Sequence, residues 1–293
     1  MAPIGNHRKG LILVISADAL WGTVFVASQV GLQYTNPYNV AFLRFFIATL
    51  AIVALMPFAE RRLGIIGELR KKWIWIFGLL YAIGFIFQYV GQALTSAPEA
   101  TLLTNLSPIL IPPFALLITK ERVTRTQAVA IVIGISGLIL VANPNMSTGL
   151  LAIIGDVLML LTSVCYALFT ILTKKQSASS AGSSFAIIIV VTVLTLPVAL
   201  LLGGLQFSTF TLPIAAWTAI IYLGIVCTAV SITIYLKGLN SILASEAAVL
   251  FLVQLLVGLA FSGLILEEYL TFYQAIGAVA ILVALAFGVY KRK

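Results

Sequence analysis

The basic residues of this chain alternate between the breaks in its apolar runs. Runs long enough to cross a bilayer, about 20 residues each, cover roughly 10–32, 38–58, 73–95, 97–119, 126–143, 151–173, 184–202, 215–236, 243–266 and 272–290. Arg8 and Lys9 precede the first run. Basic residues then fill every second break: Arg61 to Lys72, Lys120 to Arg125, Lys174 and Lys175, Lys237, and Lys291 to Lys293. The breaks after spans 1, 3, 5, 7 and 9 hold none. Sixteen of the 17 Lys and Arg residues therefore fall on one side, and the remaining one is Arg44, inside span 2. Basic loops stay cytoplasmic. The pattern predicts an all-α integral membrane protein of ten transmembrane helices in the cell membrane, with both termini cytoplasmic. One helix more or fewer would scramble the alternation.

Composition agrees. Charged residues make up 9% of the chain and the mean hydropathy is +1.14, against about 25% charged in soluble domains. The net charge of +8 follows from the loop bias and from attraction to anionic lipid, so no nucleic-acid partner is called for. The opening apolar run is too long for a signal peptide's apolar region of about 7–15 residues and reads as the first retained span. Cys165 and Cys227 lie in apolar runs without C-x-x-C spacing, which predicts neither a disulfide framework nor a metal site.

The chain also repeats itself. "GLILVISADALWGTVFV" from Gly10 aligns with "GDVLMLLTSVCYALFTI" from Gly155, pairing Trp21 with Tyr166 and Asp18 with Ser163. "GQALTSAPEATLL" from Gly91 aligns with "GLNSILASEAAVL" from Gly238. Two five-span units result, 1–144 and 150–293, joined by "NPNMSTGL". Five is odd, so the second unit enters the membrane from the opposite side. Inverted repeats of this kind build secondary transporters, with substrate bound near the midplane between the halves.

"ALWGT" at 19–23, "LRFFIA" at 43–48, "PEATLLTNLSPIL" at 98–110, "KERVT" at 120–124 and "SEAAVLFLVQLLVGL" from Ser245 resemble the drug/metabolite transporter superfamily, EamA type. The resemblance implies a ten-helix carrier, an exporter of metabolites, amino acids or drugs, similar to the YddG-like amino-acid exporters. It implies a central cavity lined by spans 1, 3, 4, 6, 8 and 9, with spans 5 and 10 peripheral.

The polar residues of the spans fit such a cavity. Tyr81, Phe85, Gln88 and Gln92 follow one another at steps of four, three and four, which puts them on one helical face. Glutamines facing lipid are costly, so this face is expected to turn inward. Asp18, Trp21, Phe25 and Ser28 form a stripe in span 1, mirrored by Ser163, Tyr166 and Thr170 in span 6. Asn105 sits beside Pro108, Pro112 and Pro113 in span 4, where prolines free backbone carbonyls. Thr228, Tyr235 and Gln254 are the corresponding groups of spans 8 and 9. Aromatic and amide groups so mixed suit a small amphipathic solute. The plainer alternative for any one of them is polar contact between packed helices. Small residues instead dominate spans 5 and 10: Ala130 and Gly134, then Ala280, Ala284 and Gly288. They predict close packing within the chain or in a homodimer.

Two charges lie away from the rims. Asp18 sits about 12 Å deep at 1.5 Å per residue, and is read either as a proton-exchanging carboxylate or as a hydrogen-bonded structural one. Arg44 sits about 9 Å in. Three roles are open to it: structural or gating, as for Pro108; pairing with a substrate carboxylate; or snorkelling to water.

Enzyme chemistry finds little to work with. The one histidine, His7, is in the tail, and H-E-x-x-H and phosphate-cradling G-x-x-x-x-G-K-[ST] motifs are missing, so no cofactor and no ATP use are expected. The sequence predicts a secondary transporter exporting small metabolites, amino acids first, by alternating access. The alternatives are a proton-coupled exporter of cationic drugs using Asp18, and a membrane scaffold. The expected partners are lipid and a small-molecule substrate.

Overall fold

The computed structural model describes residues 4–95, 103–142, 149–206, 209, 211–266 and 272–289. Among the described residues no strand occurs, as expected where a bilayer leaves backbone groups only helical partners. The helices are α1 (Ile4–Gly22), α2 (Val24–Leu32), α3 (Pro37–Leu63), α4 (Ile65–Leu69), α5 (Lys72–Leu94), α6 (Ser107–Thr119), α7 (Arg125–Ala142), α8 (Leu150–Lys175) and α9 (Ala181–Leu201). They continue as α10 (Ile214–Gly224), a π-helical turn (Ile225–Val230), α11 (Ser231–Leu239), α12 (Ala244–Leu250), α13 (Val253–Leu266) and α14 (Phe272–Val289).

Among the described residues, six helical stretches are long and apolar enough to cross a membrane: 6–32, 37–54, 72–94, 150–175, 181–201 and 214–239. The apolar runs of spans 4, 5, 9 and 10 form shorter helices among the described residues. Apolar side chains also cover the outside: Leu117, Leu150, Leu201 and Ile214 are each at least 74% exposed. Exposure on that scale around a whole molecule marks a lipid-facing surface.

Several spans are interrupted. Span 1 breaks between α1 and α2 at Thr23, span 8 widens into the π turn, and span 9 breaks between α12 and α13. In span 4 a turn at 105–106 precedes α6. The cause is plain there. Pro108 has no N–H to give the carbonyl of Thr104, and the hydroxyls of Ser163 (2.9 Å) and Ser107 (3.1 Å) donate to that carbonyl instead.

Glycines set the closest crossings. A Cβ at Gly10 would lie 2.7 Å from Ser241 Cβ, and one at Gly238 would lie 2.8 Å from the carbonyl of Gly10. A Cβ at Gly22 would meet the carbonyl of Gln254 at 2.5 Å. So α1 touches α11 and α13 backbone to backbone. The small rows of α7 and α14 likewise face each other: a Cβ at Gly137 would lie 2.7 Å from the carbonyl of Gly277, and one at Gly134 would lie 3.4 Å from Ala284 Cβ. These small residues are used for contact inside the chain.

One end of the bundle is tied by charge. His7 Nε2 lies 3.0 Å from both carboxylate oxygens of Glu246, and Glu246 accepts the Leu243 N–H at 2.8 Å. Glu121 accepts from the backbone N–H of Ser245 at 3.2 Å. Lys174 approaches Glu121 at 3.8 Å and donates to the carbonyls of Leu239 and Ile242. Glu246 thus caps α12 and anchors α1 at once. Glu246→Ala is expected to cost about 1–2 kcal/mol, at the upper end for lost helix caps. Thermal unfolding in detergent measures it, and a melting temperature equal to wild type would refute the assignment.

Candidate substrate-binding cavity

A cavity lies where the interrupted spans meet. Seven of its lining residues come from before the central link: Trp21, Val24, Arg44, Tyr81, Phe85, Gln88 and Thr104. Tyr166, Phe169, Thr170, Tyr235, Phe251 and Gln254 come from after it. Helical spacing explains most of the set. Tyr81, Phe85 and Gln88 share one face of α5, and Tyr166, Phe169 and Thr170 one face of α8. Tyr235 projects from α11, just past the π turn, and Phe251 and Gln254 flank the break in span 9.

The walls are aromatic and interlocked. Tyr81 stacks on Phe169 at 4.4 Å and meets Phe85 edge-on at 4.8 Å. Trp21 lies 4.9 Å from Tyr235. The polar groups among them are paired. Tyr166 donates to Gln88 Oε1 at 2.5 Å, the Thr170 and Tyr235 hydroxyls hydrogen-bond to each other at 3.1 Å, and Gln254 Nε2 donates to Asn105 Oδ1 at 2.7 Å. The cavity measures about 60 Å³. A water takes about 10–15 Å³ by this measure, so the cavity has room for a few waters. A metabolite would fit only after some of the rings part.

Arg44 is not snorkelled: it is 1% exposed. Its Nε donates to Thr228 Oγ1 at 2.6 Å and one terminal nitrogen donates to the carbonyl of Cys227 at 2.9 Å. The other terminal nitrogen makes a long contact with Tyr89 Oη at 3.4 Å. The guanidinium carbon stands 4.6 Å from the centre of the Phe85 ring, in cation–π range. The π turn makes this possible. It presents the Thr228 hydroxyl and the Cys227 carbonyl together, and Trp21 Nε1 also donates to that carbonyl at 3.0 Å. Such turns recur at functional sites.

The expected residues divide. Trp21, Tyr81, Phe85, Gln88, Tyr166, Thr170, Tyr235, Gln254 and Arg44 surround the cavity. Asn105 stands behind Gln254, and Ser163 is buried behind Thr104, where it repairs the span 4 turn. Gln92 continues the face of Gln88 but does not line the cavity, and its buried Nε2 finds no partner among the described residues. Asp18 is fully buried, and no bond reaches either of its oxygens among the described residues; it does not line the cavity either. Ser28, from the same stripe, lies 3.4 Å from Tyr89 Oη. The side chain of Phe25 lies outside the described residues.

Four participants were missed at the sequence level, Val24 beside the break in span 1 among them. Phe169 follows Tyr166 by three residues, so the face of span 6 contained the signal. Phe251 and the Cys227 carbonyl had none, because both depend on local breaks in a helix.

The EamA-like transporter family model matches the chain twice, over residues 8–143 and 153–290. A protein of Archaeoglobus fulgidus named an uncharacterized transporter is 25% identical over 94% of each chain. A Bacillus subtilis protein, named uncharacterized transporter YyaM, is 24% identical over 94% of this chain and 92% of its own. A crystal structure of a protein superposes with a TM-score of 0.83 over 97% of each chain at 16% identity, a likeness of fold. The family model takes in both halves of the sequence and nearly its whole length, and the chain belongs to the EamA-like transporter family.

Proposed function

We propose that this protein is a secondary transporter of ten membrane spans that exports small metabolites, amino acids in first place, by alternating access. Its units 1–144 and 150–293 are inverted repeats, and both termini lie in the cytoplasm of a cell whose plasma membrane it spans. The observation that carries this reading is the cavity itself. It is walled by rings, furnished with a few paired polar groups, and lined from both sides of the central link. The two family matches fall on either side of that link, which supports the division. Rocking of one unit against the other would part the two sets of rings. Glycine contacts such as Gly22 on Gln254 provide smooth surfaces for the motion.

The test is flux in proteoliposomes. Labelled amino acids are expected to enter saturably, and unlabelled substrate trapped inside should accelerate their uptake. No flux of any solute across a broad panel would sink the reading.

A second reading rests on Asp18, whose buried carboxylate is unpartnered. If it exchanges protons for a cationic drug, Asp18→Asn abolishes gradient-driven cation flux. On the reading preferred here, amino-acid flux survives the change. Asparagine keeps the shape and removes the charge, the costliest thing to bury, and gives up no hydrogen bond among the described residues. The melting temperature of Asp18→Asn is therefore expected to hold or to rise by a few degrees. A large fall would mean that the carboxylate has a structural partner.

A further inference from the structure

We infer that Arg44 is the anchor for the carboxylate of the transported solute, so that the cavity selects amphipathic monocarboxylates over their amides and over organic cations. The inference rests on the proposed transport role of this cavity and names its substrate class.

The argument begins with what Arg44 lacks. A guanidinium has five N–H donors. Two are well placed, on Thr228 and the Cys227 carbonyl, and a third makes the long contact to Tyr89. One N–H on each terminal nitrogen is left over. Among the described residues no carboxylate lies within ion-pair distance of Arg44, and Asp18 makes no bond to it. A buried cation without a counter-charge is expensive in a membrane, and its contact with the Phe85 ring offsets only part of the cost. A carboxylate bound through the two remaining N–H groups would supply the missing charge with the fork geometry that arginine favours.

The second step asks whether the protein needs Arg44 to satisfy its neighbours. It does not. Without the arginine, Thr228 Oγ1 still donates to the carbonyl of Leu223 at 2.7 Å, the Cys227 carbonyl keeps Trp21 Nε1 at 3.0 Å, and Tyr89 Oη keeps Ser28 at 3.4 Å. The neighbours hold the arginine in place; they do not depend on it. A buried charge kept in position by groups that have other partners is built for a ligand. None of the lining residues is acidic, so a cation would meet only ring faces there, with the positive guanidinium of Arg44 repelling it. The rings opposite Arg44 receive the apolar remainder of the solute.

The test compares leucine, its des-amino analogue 4-methylpentanoate, and leucinamide as competitors of labelled leucine counterflow in proteoliposomes. An unrelated uncharged solute and an organic cation complete the panel. Both carboxylates are expected to compete, with leucinamide weaker by about 10- to 100-fold, the worth of a charge-assisted hydrogen-bond pair. In Arg44→Met that preference should vanish, and Arg44→Lys should restore part of it. Leucinamide competing as well as leucine in wild type would overturn the inference while leaving the transport reading intact. No flux of any panel member would overturn both. Should Arg44→Met not fold, the wild-type comparison suffices, because the ranking of carboxylate against amide decides the matter without a mutant.

Discussion

Gly22→Leu is expected to disable the protein. The Cβ alone would stand 2.5 Å from the Gln254 carbonyl and 2.8 Å from Val257 Cβ. The first of these neighbours is backbone, so no rotamer change relieves the clash, and α1 must move away from α13. Overpacking of this kind costs about 1–3 kcal/mol or more, equivalent to a melting point lower by roughly 5–10 °C. Function should suffer further. Gly22 adjoins Trp21, and Gln254 lines the same cavity, so the displacement separates two of its walls. Melting in detergent and flux in proteoliposomes check the two effects. A variant with wild-type values of both would show that the crossing of these helices is looser than described.

Trp21→Ala should produce the second large effect, by removing rather than adding atoms. The indole lies against Tyr235 and donates to the Cys227 carbonyl beside Arg44. Loss of an aromatic side chain from a packed site costs about 3–5 kcal/mol when fully buried, and Trp21 is only half-buried, so about 3 kcal/mol is expected. The apparent affinity for substrate should fall by about five- to tenfold, since an aromatic contact is worth about 1–1.5 kcal/mol. Trp21→Phe separates the two contributions. It keeps a ring against Tyr235 and loses the N–H, so affinity should largely recover while the carbonyl of Cys227 relies on Arg44 alone. Should Phe behave like Ala, the hydrogen bond and not the ring would be the important part.

Much of this site was readable in advance because helices have a fixed period. Steps of three and four placed Tyr81, Phe85 and Gln88 on one face, and Tyr166 and Thr170 on another. Their burial followed from the cost of facing lipid with an amide. The same reasoning took Gln92 and Asp18 too far. Periodicity states which side of a helix a residue is on, but not how far along the axis the cavity extends. Gln92 is on the right face at the wrong height, and Asp18 is buried where another helix covers it. Ser163 looked like a cavity group and repairs a carbonyl instead, because the proline that frees that carbonyl is on a different span.

By itself the sequence determined the class of the molecule: apolar helices, a basic side, and a likeness between its two halves. These properties depend on local composition and on the bilayer's demand that every backbone group be satisfied within its own helix. Tertiary structure alone decided the chemistry of Arg44. The sequence left it free to snorkel, to brace the bundle or to meet a ligand. Only the packing of span 2 against the π turn of span 8, almost two hundred residues away, brings Thr228 and the Cys227 carbonyl under the guanidinium. A buried charge is defined by its neighbours, and in a helical bundle those neighbours come from distant parts of the chain.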